Sequence, residues 1–189
     1  SLQVAEILIA RGYRNLSSVE GGTDAWDAAG LPMQRADVDA DFSERYSRHL
    51  RLPDVGLQGQ KTLEAARVLL VGAGGLGSPA AYYLAAAGIG MLRIADDDVV
   101  DRSNLQRQIL HTDARIGTPK VESAAIALSA LNPRTTVEAI RERITSDNVE
   151  RLLDGIDVVV DGADNVPARY LLNDACVKLR KPLVYGAVH

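Results

Sequence analysis

The run Arg67-Val-Leu-Leu-Val71 followed at once by Gly72-Ala-Gly-Gly-Leu-Gly77 constrains the fold more than any other stretch. Its unbroken apolar part, Val68-Leu-Leu-Val71, is the pattern of a strand covered on both faces, and the glycines turn it directly into a helix. Gly72, Gly74 and Gly77 fit the spacing G-x-G-x-x-G: one glycine for the tight turn, one for close backbone approach to a phosphate, and one for packing of the helix on the strand. A helix that starts there aims unpaired N–H groups and the positive end of its dipole at whatever anion occupies the turn. Taken alone, this motif says only that some nucleotide binds.

From Arg67 onward, strand and helix patterns alternate. Strands fit 68–71, 92–95, 136–140, 156–160 and 183–185, and helices fit 76–87, 120–131, 147–153 and 167–178. This rhythm predicts an α/β fold, a doubly wound and mostly parallel sheet with flanking helices, which binds ligands at the carboxyl ends of its strands. Before it lie an amphipathic pattern over 2–12, a small helix near 23–29, a polar linker and a new helix near Phe42-Ser-Glu-Arg45. Both ends read as cuts in a longer protein, since the chain starts without Met and closes on a strand pattern.

At 189 residues and 47% hydrophobic content, the chain is long enough for one substantial core. A net charge of −4 offers no basic stripe for a nucleic-acid backbone. No apolar run reaches the roughly 20 residues of a membrane span. The single cysteine, Cys176, excludes a disulfide framework and fits a reducing cytoplasm; its helical spacing with Leu172 and Leu179 predicts a buried structural thiol.

The second strand ends in Asp96-Asp97-Asp98, about twenty residues beyond the glycines, where such folds place an acid on ribose hydroxyls. Asp96, which directly follows the strand, is the candidate, and a solvated acidic turn is the alternative for Asp97. Asn104-Leu-Gln-Arg107-Gln and Gly117-Thr-Pro-Lys120 then bring two cations and a carboxamide near the turn. Singly, Arg107 or Lys120 would be an ordinary surface charge. Together they favour a triphosphate, because a dinucleotide pyrophosphate is carried mainly by backbone N–H groups. The fourth strand finishes as Asp161-Gly-Ala-Asp164-Asn165. Asp164 falls where a carboxylate can hold Mg²⁺ against phosphate oxygens, whereas a loop cap is the alternative for Asp161.

Arg45-Tyr-Ser-Arg48-His, the turn Gly72–Gly77, Asp96–Asp98, Asn104–Gln108, Lys120-Val-Glu-Ser123 and Asp161–Asn165, in that order, resemble the MoeB/ThiF adenylyltransferases, relatives of ubiquitin-activating enzymes. The resemblance covers residues 42–189 and implies a Rossmann-like fold. It also implies ATP- and Mg²⁺-dependent adenylylation of the C-terminal Gly-Gly carboxylate of a ubiquitin-like sulfur carrier, in molybdopterin or thiamine synthesis. On that resemblance Gly75 lies against the phosphates and Asp96 holds the ribose. Asn104, Arg107 and Lys120 grip the triphosphate, Asp164 takes the magnesium, and Arg48 reaches the phosphates of the other subunit in a homodimer. A structural Zn²⁺ held by paired CxxC motifs is expected only in the full-length parent.

Residues 1–35, with Glu20-Gly-Gly-Thr-Asp-Ala-Trp26 and Ala29-Gly-Leu-Pro32, resemble the tail of a rhodanese domain, whose persulfide loop would precede Ser1. Residues 36–41 then form a linker. Trp26 is expected to anchor the rhodanese core, and Tyr82 and Tyr83 to pack on their helix. His49 fits a dimer contact or simple packing equally, and His111 and His189 have no evident partner. Two other functions stay open: a tRNA threonylcarbamoyladenosine dehydratase of the same family, and an NAD(P)-dependent oxidoreductase, which the glycine turn by itself would permit.

Overall fold

A computed structural model describes residues 2–32 and 38–186. The chain divides into two compact units, Ser1–Phe42 and Ser43–His189. Residues 33–37 and 187–189 lie outside the described residues, and with them the first two positions of the expected linker and His189. The rest of that linker is not all irregular, because helix α3 (Ala40–Arg45) already begins within it.

The first unit holds α1 (Leu2–Ala10) and α2 (Gly22–Ala28). Both form where the apolar spacing predicts, yet Val4, Ile7 and Ile9 of α1 stay more than half exposed. Trp26 does not anchor a core here; it is half-buried, and its indole N–H donates to the Pro32 carbonyl at 3.1 Å.

The second unit is a five-stranded parallel sheet of β1 (Arg67–Val71), β2 (Met91–Ala95), β3 (Thr136–Ile140), β4 (Val158–Asp161) and β5 (Leu183–Tyr185) in the order β3-β2-β1-β4-β5. The crossovers carry α5 (Gly77–Ala87), α6 (Lys120–Leu131), α7 (Val149–Leu153) and α8 (Val166–Leu179). Side chains alternate across each strand, so β1 sends Val68 and Leu70 into the core under α5 and α6, and Leu69 and Val71 into the core under α7 and α8. Ala81 and Ala85 are fully buried, and these small side chains let α5 lie close on the sheet. Tyr82 packs on the same core, but Tyr83 is 78% exposed, which corrects the expectation that both tyrosines pack.

One helix has no counterpart in the sequence pattern. α4 (Gly56–Ala65) buries Gln60, whose amide N–H donates to the Ala87 carbonyl at 2.9 Å while its carbonyl oxygen accepts from His49 Nδ1 at 2.8 Å. His49 is thereby committed inside its own chain and stacked on Tyr46. No helix among the described residues is long and apolar enough to cross a membrane.

Cys176 is 2% exposed in the core under α8. Burial raises its thiol above the ordinary range, and the Asp161 carboxylate adds to the rise. The reactive thiolate is therefore suppressed at neutral pH. Iodoacetamide is expected to leave Cys176 unmodified in the native protein and to label it fully in urea; rapid native labelling would contradict this burial.

Candidate functional site

The strand order reverses direction between β1 and β4, and the loops leaving these two neighbours open a crevice at the carboxyl edge of the sheet. Backbone meets backbone there. A Cβ at Gly72 (φ +91°) would stand 2.7 Å from the Gly162 carbonyl oxygen, one at Gly77 would stand 1.9 Å from the Gly72 oxygen, and one at Gly162 would stand 3.2 Å from the Gly77 nitrogen. Three glycines thus enforce each other's absence of a side chain. Gly74 and Gly75 differ, since the nearest atoms to an added Cβ are side-chain atoms of Gln108 and Arg107 at 3.8 and 3.6 Å.

Beyond this knot lies a cleft of about 1050 Å³, whose walls include Gly72, Gly74, Gly75, Asp96, Arg107, Lys120 and Asp164. Gly77 is buried behind it. The N–H groups of Gly74, Gly75 and Leu76 meet no protein acceptor among the described residues, and all three residues line the cleft. Unsatisfied N–H groups converging on the start of α5 make an anion site.

The flanking charges are unequal. Lys120, first residue of α6, is 5% exposed and its Nζ lies 2.8 Å from Asp98 Oδ2. A buried cation at the positive end of a helix opposes the dipole, so its position is not one that helix stability selects. Arg107 donates Nη1 to the Ser103 carbonyl and makes no ion pair among the described residues, leaving its charge over Gly75. Asp164 is exposed and makes no hydrogen bond or ion pair among the described residues.

Asp96 ties the turn to β2. One carboxylate oxygen accepts from the Ala73 N–H and the other from the Asp98 N–H, each at 2.8 Å. Asp96, Asp97 and Asp98 place ligand atoms within 4.8 Å of one another. They are nonetheless spoken for: Asp97 pairs with Arg143 at 3.1 Å and Asp98 with Lys120. Asp161 acts as a loop cap, its Oδ1 accepting from the Ala163 N–H at 2.8 Å.

Two expected site residues stand elsewhere. Asn104 does not line the cleft; its side-chain oxygen accepts from the Asp101 N–H at 3.2 Å in a capping box. Arg48 is exposed beside a short 3₁₀ turn (His49–Arg51) and does not line the cleft either. Conversely, the structure adds Gln108, which lines the cleft at 4% exposure with its Oε1 unpartnered among the described residues, and Arg143, which also lines it. A buried acceptor left open on a cleft wall marks a place where a ligand donor fits. Its signal was its place directly after Arg107.

His111 is 5% exposed, with Nε2 2.9 Å from the Ala73 carbonyl oxygen and Nδ1 2.9 Å from Ser123 Oγ. Burial pushes the imidazole below its ordinary value of 6.5; Lys120 and Arg115 add to this, while the Ala73 bond and Asp96 oppose it. With the folded value depressed, the stability this histidine contributes is present above the unfolded value and is lost as pH falls through the folded one. The thermal midpoint is expected to drop as pH is lowered from 7 toward 5, and the drop should be smaller in His111→Gln.

The model of the ThiF family matches residues 46–189. This chain belongs to the ThiF family. It is 53% identical over 152 residues to the SAMP-activating enzyme E1 of Haloferax volcanii, covering 80% of this chain and 56% of that protein. It is 57% identical over 143 residues to the adenylyltransferase and sulfurtransferase MOCS3 of Drosophila yakuba, covering 76% of this chain and 32% of that protein. Among solved structures, E. coli tRNA N6-threonylcarbamoyladenosine dehydratase, TcdA, in complex with ATP superposes with a TM-score of 0.75 at 29% identity, covering 82% of this chain and 65% of that one. The chain therefore spans less than two thirds of each of these relatives. Its Rossmann-like α/β fold is shared with the ThiF-type structures.

Proposed function

We propose that this chain carries the ATP site of an adenylyltransferase that activates the C-terminal Gly-Gly carboxylate of a ubiquitin-like sulfur carrier. The observation that carries the reading is the set of free N–H groups at Gly74, Gly75 and Leu76 flanked by Arg107 and the buried Lys120. Relatives named as a SAMP-activating E1 and as an adenylyltransferase and sulfurtransferase support it, as does a structural neighbour solved with ATP.

The step suits the inventory. A carboxylate oxygen attacks the α-phosphorus of ATP, the bond from that phosphorus to the bridging oxygen breaks, and pyrophosphate leaves with the electron pair. The nucleophile is already an anion, so no general base is required; in-line placement and neutralisation of the departing charge are. Arg107 and Lys120 would supply positive charge, the turn would supply backbone donors, and Asp96, which lines the cleft at the end of β2, would receive the ribose hydroxyls on the lone pairs left beside its two backbone N–H bonds. Asp164 fits Mg²⁺, which takes one or two carboxylates together with phosphate oxygens, because its exposed carboxylate lines the cleft and has no partner among the described residues. That ion would neutralise phosphate charge. A thiolate zinc site does not fit the residues present, for the only cysteine is buried in α8.

Arg48 lies off the cleft of its own chain, so a role for it at the phosphates requires a second copy, in keeping with a homodimer. Asn104, committed to its capping box, would act by shaping the segment that carries Arg107. The segment before α3 would be the end of a rhodanese-like module delivering sulfur to the activated carrier, in the cytoplasm. Exchange of labelled pyrophosphate into ATP should depend on a carrier ending in Gly-Gly and vanish when that tail is removed. No exchange with either a molybdopterin or a thiamine carrier contradicts the proposal, and an adenylate formed on tRNA would move the assignment to the dehydratase branch. Binding of NADH in place of ATP would select an oxidoreductase instead.

A further inference from the structure

The geometry points to His111 as a positioning residue for the phosphate-binding turn, one that holds the Ala73 carbonyl inward so that the Gly74 N–H of the same peptide faces the cleft. A carbonyl oxygen can only accept, so the 2.9 Å contact to Ala73 places the proton on His111 Nε2, and a neutral ring then takes the Ser123 hydroxyl proton at Nδ1. The peptide between Ala73 and Gly74 is trans, so its C=O and N–H point opposite ways. With the C=O bound inside, the N–H is left to the cleft, and it has no protein acceptor among the described residues. The preceding peptide is fixed as well, because Asp96 Oδ2 receives the Ala73 N–H at 2.8 Å. Ala73 is therefore gripped at both its polar atoms by side chains from two different segments. Ser78 Oγ also approaches its carbonyl, at 3.4 Å, too long to replace the imidazole.

Ser123 stands one helical turn after Lys120 in α6, so the same tether couples the turn to the helix that carries the buried cation. The charged groups facing the ring are Lys120 on α6, Arg115, whose guanidinium holds the Ser123 and Leu110 carbonyls at 3.0 and 2.9 Å, and Asp96 at the end of β2. Two cations and burial keep the ring neutral, which preserves the single tautomer the tether needs. Freed from it, the peptide can rotate and withdraw one donor from the anion site.

This rests on the reading that nucleotide phosphates occupy the cleft. The experiment measures ATP and adenosine binding to the full chain for wild type, His111→Leu and His111→Gln, because only ATP reports the turn. In His111→Leu, ATP binding should weaken about tenfold or more while adenosine binding stays within about twofold. His111→Gln, which keeps a donor, should recover most of the ATP affinity. Unchanged ATP affinity in His111→Leu, or equal loss of ATP and adenosine, overturns the proposal. Should His111→Leu fail to fold, the ¹⁵N imidazole spectrum of the wild type decides: a proton on Nε2 together with ATP-tight His111→Gln supports the tether, and a proton on Nδ1 alone refutes it. A wild type that binds neither ligand defeats the nucleotide reading, whereas the imidazole spectrum still reads the tether by itself.

Discussion

Gly77→Ala is expected to cost more than about 3 kcal/mol of stability and to leave little folded protein, whereas Gly75→Ala should fold like the wild type. The added methyl at position 77 would stand 1.9 Å from the Gly72 carbonyl oxygen and 2.9 Å from its carbon. Both are backbone atoms, and they cannot retreat: Gly72 is itself pressed against Gly162, which in turn faces the Gly77 nitrogen. Relief at one corner of this triangle compresses another. At Gly75 the nearest atoms are the Arg107 stem at 3.6 Å, an ordinary contact that a flexible side chain accommodates. Urea denaturation of the two variants checks the contrast. Similar midpoints would show that the β1 and β4 loops are not locked together.

Lys120→Met should lower carrier-dependent adenylylation by about 10²- to 10³-fold, the range observed when one preorganised donor to developing charge is removed. Stability should change far less. The partner Asp98 is 61% exposed, so losing the cation strands no buried carboxylate, and the methionine stem can fill the space left by the lysine. The same asymmetry tells function from structure: a lysine retained for stability would not be seated at the positive end of α6. Steady-state turnover alongside a thermal midpoint makes the test, and a variant that loses stability and rate in proportion would contradict this assignment.

The second unit is legible in the sequence wherever one periodicity dominates. Residues 68–71 read as a strand because apolar residues fill both faces, 92–95 read as one from the apolar residues around Arg93, and 167–178 read as a helix from the spacing of Leu172, Cys176 and Leu179 on one side. Helix α4 did not announce itself: Gly56-Leu-Gln-Gly-Gln-Lys-Thr-Leu-Glu-Ala65 carries two glycines and few apolar residues, and its inward face is held by the hydrogen bonds of Gln60. Polar burial of that kind leaves no hydrophobic period to read.

For the site, Gly72, Gly74, Gly75, Asp96, Lys120 and Asp164 converge because each stands at or just after the carboxyl end of a strand or at the start of a helix, positions that spacing reveals, while Arg107 joins them from the turn that follows the 3₁₀ segment Arg102–Asn104. Gly162, Gln108 and His111 depend instead on close approach between segments distant in sequence. His111 and Ala73 stand thirty-eight positions apart, and nothing local to either predicts their bond. The N-terminal unit shows the converse. Its helices form at the expected places, but apolar side chains such as Ile9 remain exposed, so helical spacing there did not translate into a core.

The most direct measurement is the backbone amide spectrum of the protein titrated with ATP. Binding is predicted to move the Gly74, Gly75 and Leu76 amide signals most, with adenosine leaving these three nearly unshifted. ATP shifts confined to other segments, or none at all, would contradict the placement of phosphate at this turn.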